Sequence, residues 1–205
     1  MTSARGWLDG SLAAPRSTDM LDVETRPVMS TLTLEHINAM TPQAFVGALG
    51  GVFEHSPWIA EGAFTARPFA NVIELHEAMI GTVRRASREQ QFALLNAHPD
   101  LAGKAAQAGA LTTSSAAEQA SVGLNALSRE EIQLLARWNR EYREKFGFPF
   151  IIAVRRHTKA SIFSEIERRL GNDTETELNG CLEQVFVITR LRLEALLIAP
   201  YGSAT

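Results

Sequence analysis

The sequence holds five histidines, His36, His55, His76, His98 and His157, and the setting of His98 differs from the other four. It lies in Asn96-Ala97-His98-Pro99-Asp100-Leu101, where Pro99 enforces a helix end. A side chain there projects toward whatever the following loop encloses. The small residues that follow (Ala102, Gly103, Ala105, Ala106) let backbone or ligand approach closely. An imidazole titrates near neutrality and can take or return a proton. The competing reading is a histidine that caps the last helix carbonyls and meets the helix dipole. Glu118 stands in Ser115-Ala-Ala-Glu118-Gln119, where the spacing predicts a capping box and gives the carboxylate a backbone role. Toward the C-terminus, Arg190 and Arg192 fall about 200° apart on a helical wheel and cannot share a face. An inward arginine must find a carboxylate, a carbonyl cluster or an anionic ligand.

Other chemistries lack their signatures. There is no H-E-x-x-H, no phosphate-binding G-x-x-x-x-G-K-[ST], no G-x-G-x-x-G and no G-x-S-x-G elbow. The single cysteine, Cys181, rules out a disulfide within the chain and a zinc site built on several thiolates. We expect no metal. Across 205 residues the net charge is −3, which argues against a nucleic-acid binder driven by bulk charge. No stretch approaches the ~20 apolar residues of a membrane span, and the N-terminus lacks a secretory apolar segment. A lone cysteine in an apolar helical pattern suits a reducing compartment, so the expected location is the cytoplasm, with neither nucleic acid nor membrane as partner.

The elements that must position these groups are helical. Thr41-Pro42 opens a helix with Phe45, Leu49, Val52 and Phe53 on one face, ended by Ser56-Pro57. Pro68 opens a second, carrying Val72, Leu75, His76, Met79 and Val83. Capping boxes at Ser87–Gln90 and Ser128–Glu131 start two more, and Ser115 starts another. Helices resume over 158–170 and from Asp173-Thr174 to about Ile198. Only 148–154 (FPFIIAV) reads as extended, and a lone strand cannot satisfy its own ladder, so it is expected as an extended connection. The fold class is therefore all-α: a single helical-bundle-like domain of about seven or eight helices over 32–200. A flexible leader (1–31) precedes it and a short tail (201–205) follows.

Four segments occur in order: ALLNAHPDLAGKAA, then S-x-x-E-Q at 115–119, FGFPFIIAVR at 146–155 and ITRLRLEAL at 188–196. Together they resemble the 2-oxo-4-hydroxy-4-carboxy-5-ureidoimidazoline (OHCU) decarboxylases of urate degradation, over roughly Leu32 to Pro200. The resemblance implies an all-helical, cofactor-free enzyme acting on a small ureido-imidazoline substrate, and suggests a homodimer. It implies that His98 and Glu118 are catalytic, and that Pro99, Ser115, Gln119, Phe148, Ile151, Ile152 and Arg192 bind substrate. Arg190 is the alternative register for Arg192. Whether His98 takes the substrate hydroxyl proton or stabilises the departing carboxylate stays open. A competing class is an all-α ligand- or partner-binding module without catalysis, presenting the segment around Trp58 and Phe64. Another is a helical metal hydrolase using His98, Asp100 and Glu118.

Overall fold

The computed structural model describes residues 32–197. The leader (1–31) and the tail (201–205) lie outside the described residues. Ten α-helices follow in order: α1 Leu34–Ala39, α2 Pro42–Leu49, α3 Trp58–Ala63, α4 Val72–Arg85, α5 Arg88–Asn96, α6 Lys104–Gln107, α7 Thr113–Ala120, α8 Arg129–Phe146, α9 Lys159–Arg169 and α10 Thr174–Leu196. No strand occurs among the described residues, and the all-α class holds. The count exceeds the expected seven or eight because α1, α3 and α6 span only four to six residues. That is too short for a helical period to be read from the sequence.

Most starts obey local capping chemistry. Ser87 and Ser128 form reciprocal capping boxes with Gln90 and Glu131, and Thr41 caps α2 ahead of Pro42. Three boundaries differ from the sequence expectation. Helix α2 ends at Leu49, so Val52 and Phe53 reach the core from a turn. Helix α4 starts at Val72 with Asn71 as its cap, four residues after Pro68. Helix α7 is capped by Thr112, whose hydroxyl accepts from the Ser115 amide. Ser115 and Glu118 thus lie inside the helix, and no capping box joins them.

The core is organised on α10, which packs against α4, α5 and α8. Its buried positions Leu178, Cys181, Leu182, Val185, Phe186, Ile188, Thr189 and Leu193 recur at three- and four-residue spacing. Helices α3 and α4 cross closely, with Gly62 so near Thr82 that any Cβ would collide with it. Helix α8 ends at Gly147, whose φ of 82° is the left-handed cap that glycine adopts without strain. Beyond it, residues 149–153 run extended and buried to a 3-10 turn at Val154–Arg156.

A buried ion pair fixes that extended run. Arg169 of α9 donates from Nε to Glu177 Oε1 at 2.8 Å and from Nη1 to the Ile151 carbonyl at 2.8 Å. Its guanidinium stacks 4.6 Å from the Phe150 ring centroid. The Tyr142 hydroxyl also donates to Glu177, and burial raises its pKa. No described helix is long and apolar enough to cross a membrane.

Candidate functional site

Five parts of the chain converge on one small cavity. It is lined by Glu54, His98, Pro99, Leu101, Ser115, Glu118, Gln119, Phe150, Ile151, Ile152, Val154, Ile188 and Arg192.

The His98 part is the end of α5. The ring Nδ1 lies 3.0 Å from the Leu94 carbonyl oxygen, four residues back. A carbonyl only accepts, so Nδ1 carries the proton and the lone pair of the neutral ring sits on Nε2. Nε2 is buried and has no hydrogen-bond partner among the described residues. Burial holds the His98 pKa below the ordinary histidine value, outweighing the Leu94 carbonyl and Glu54, which favour the charged ring. His98 thus lines the cavity as a neutral imidazole with an unpartnered Nε2, a nitrogen of the kind that can accept a proton.

The turn after His98 is clamped from two sides. On α8, Asn139 Nδ2 donates to the Leu101 carbonyl at 3.0 Å, and Arg143 Nε donates to Asp100 at 2.8 Å. On α7, Gln119 Oε1 accepts from the Ala102 amide at 2.9 Å. Ala102 itself sits at φ 47°, a left-handed conformation costly to a residue with a Cβ. Asp100 thus points to Arg143 and does not line the cavity, which removes one ligand from the metal-hydrolase reading.

The opposite wall is charged. Arg192 forks onto Glu118, with Nε to Oε1 at 2.8 Å and Nη2 to Oε2 at 2.8 Å. Nη2 also reaches Glu54 Oε1 at 2.8 Å and Ser115 Oγ at 3.2 Å, and Nη1 reaches the Val52 carbonyl at 3.3 Å. Ser115 Oγ donates to Glu54 Oε1 in turn. Burial works against the Glu54 charge, but Arg192 and the Ser115 hydroxyl hold its pKa below the usual carboxylate value. Burial likewise opposes the Arg192 charge, and Glu118 and Glu54 outweigh it. The third wall is the extended run, apolar apart from its backbone.

A family model described as OHCU decarboxylase matches residues 38–194. The chain belongs to the OHCU decarboxylase family. Among relatives with that enzyme name, one from Haloferax volcanii is 44% identical over 165 residues, covering 80% of this chain and 96% of the relative. Another, from Halalkalicoccus jeotgali, is 38% identical over 175 residues, covering 85% of this chain and 97% of the relative. Among solved structures, an (S)-allantoin synthase superposes with a TM-score of 0.64 at 28% identity, covering 81% of this chain. The match spans 54% of that solved chain, about half its length.

Of the residues that the OHCU decarboxylase resemblance singled out, His98, Pro99, Ser115, Glu118, Gln119, Ile151, Ile152 and Arg192 all line this cavity. Phe148 does not. It is fully buried among Phe92, Tyr142 and Phe146, with ring centroids 5.3, 6.2 and 6.0 Å away, so its part is packing. Two residues on, Phe150 is the aromatic that lines the cavity, next to Ile151 and Ile152. Arg190 pairs with Glu194 at 2.6 Å and stays out of the cavity, so Arg192 is the inward arginine. Glu118 spends its carboxylate on Arg192 instead of on a helix cap. Trp58 and Phe64 pack against the core instead of presenting a docking face.

Sequence reasoning missed Glu54, Leu101, Phe150, Val154 and Ile188. For Glu54 a signal existed. It is a carboxylate directly after the apolar Val52-Phe53, and an inward arginine demands one.

Proposed function

We propose that this chain decarboxylates OHCU to (S)-allantoin in urate degradation. The observation that carries the proposal, within this family, is the His98 Nε2 lone pair buried across one cavity from the Arg192–Glu118 fork. The reaction needs an electron sink for the C–CO₂ bond, and the substrate brings one. Its carboxylate-bearing carbon adjoins a C=N carbon. As CO₂ leaves, the bonding pair forms a carbon–carbon double bond and the C=N pair moves to nitrogen, which takes a proton from solvent. The enol-like intermediate then loses its hydroxyl proton and gains one on carbon, giving the ketone of allantoin.

His98 Nε2 takes the hydroxyl proton and returns it to that carbon. A single base fixed on one wall delivers the proton to one face, which sets the (S) configuration. Glu118 accepts ureido N–H groups, and Arg192 donates to carbonyl oxygens of the substrate. Ser115 and Gln119 complete the polar contacts, and Ile151 and Ile152 cover the ring. The catalytic contribution then comes from orientation and fixed donors, together with one proton-transfer group worth ~10²–10⁴-fold.

The family resemblance also supports a homodimer, checked by sedimentation. The buried, unpaired Cys181 supports a reducing, cytoplasmic location. We assign the catalytic domain to 32–200, with 1–31 as a leader and 201–205 as a tail, a division that limited proteolysis tests. The test of function uses freshly generated OHCU, which decays unaided to racemic allantoin. The purified chain should speed the decay and yield optically active product in the presence of a chelator. Unaccelerated decay to a racemate would refute the proposal.

A further inference from the structure

Two carboxylates share one guanidinium in this site, and their surroundings differ. Glu54 is almost wholly enclosed: its side chain is 1% exposed, and it accepts from Arg192, Ser115 and Thr112 (Oγ1 at 3.2 Å). Its backbone holds φ 47°, a left-handed conformation that a residue with a Cβ keeps only when its surroundings impose it. The Glu118 carboxylate has one partner among the described residues, Arg192. It sits directly on the cavity, which measures about 30 Å³ in this state. That is room for about one water molecule. Glu118 on its single partner is the most readily displaced side chain of the wall, whereas Glu54 is tied by three residues.

We infer that Glu54 is a positioning residue, the permanent counter-ion of Arg192, which frees Glu118 to exchange Arg192 for the N–H groups of an incoming ureido ligand. The exchange needs such a counter-ion. A buried arginine that lost its last anion would carry an uncompensated charge, one of the costlier states in a protein interior. With Glu54 in place, the guanidinium stays paired through Nη2 while its Nε edge and Glu118 turn to the ligand. Glu54 lines the same cavity, but its oxygens are committed to Ser115, Thr112 and Arg192, so it acts through Arg192. This inference rests on the reading that the cavity receives a ureido ligand.

The test compares the wild type with Glu54→Gln and Glu54→Asp. It measures thermal unfolding without ligand, the equilibrium binding of (S)-allantoin, and KM and kcat on OHCU. In the ligand-free Glu54→Gln protein, Arg192 still has the Glu118 fork, so the unfolding midpoint should move by only a few degrees. Ligand binding would then strand Arg192. The allantoin Kd and the KM should rise at least tenfold, by a larger factor than kcat falls. Glu54→Asp, which keeps the charge, should recover most of that affinity. A folded Glu54→Gln protein with wild-type affinity overturns the inference. So does one that unfolds or loses stability before it loses affinity, because that marks Glu54 as a structural group. Failure of the wild type itself to bind allantoin or turn over OHCU would instead refute the functional reading beneath it.

Discussion

Replacing Glu177 by alanine removes the one carboxylate paired with Arg169 among the described residues; the Arg169 side chain is 5% exposed. Breaking a buried pair by deleting one partner costs roughly 3–5 kcal/mol, because the remaining charge is uncompensated. Tyr142 and Asn172 would also lose their acceptor on Glu177. Arg169 would keep the Ile151 carbonyl at 2.8 Å and the Phe150 ring at 4.6 Å, which favours the lower half of that range. For a chain of this size each kcal/mol moves the unfolding midpoint by roughly 2–4 °C, so about 3–5 kcal/mol becomes a fall of roughly 6–20 °C. Scanning calorimetry on Glu177→Ala and Glu177→Gln reads it. The glutamine keeps an acceptor for Tyr142 and Arg169 and should fall between the wild type and the alanine variant. Since Ile151 and Ile152 line the cavity, kcat/KM of the folded alanine variant should drop as well. A midpoint within 2 °C of wild type (an order-of-magnitude bound on ~1 kcal/mol), or a glutamine variant less stable than the alanine one, would refute the reasoning.

Two further outcomes follow from the same geometry. Because burial lowers the His98 pKa, the acid limb of kcat/KM should have its midpoint below the ordinary histidine value of about 6.5, with activity falling as pH drops through it. The unfolded chain binds that proton first, so the stability contributed by neutral His98 should also decline as pH falls below about 6.5; a kinetic midpoint above that value would contradict the assignment. Phe148→Ala should cost about 3–5 kcal/mol in urea unfolding, with KM near wild type in the folded protein, since Phe148 fills the core and not the cavity. A tenfold rise in KM at unchanged stability would restore Phe148 to the site.

What the sequence made legible was local. Caps at Thr41, Ser87, Ser128, Thr158 and Asp173 satisfy amides within three residues, so their helices could be read without knowing the fold. The same locality misled at Ser115–Glu118. The spacing matches a capping box, yet Thr112, three residues earlier, holds the cap and Glu118 turns to Arg192 on α10. His98 was legible because Pro99 forces a helix end beside it. Glu54 was not, because its role depends on Arg192, 138 positions away, and on a turn too short to carry a period. Phe148 and Phe150 share one apolar run. Sequence placed the run on the site; a regular strand would put both rings on one face, and only the packing of Phe148 against Phe92, in the bend before residues 149–153, separates core from cavity.

The central claim is that His98 Nε2 moves the proton, and the most direct measurement is turnover of freshly generated OHCU by His98→Asn, followed by circular dichroism. Asparagine cannot act as a base at Nε2. The account predicts a folded protein whose formation of (S)-allantoin is slowed by at least ~10²-fold, with most product arising racemic from the unaided decay. Optically pure allantoin formed at close to the wild-type rate would contradict it.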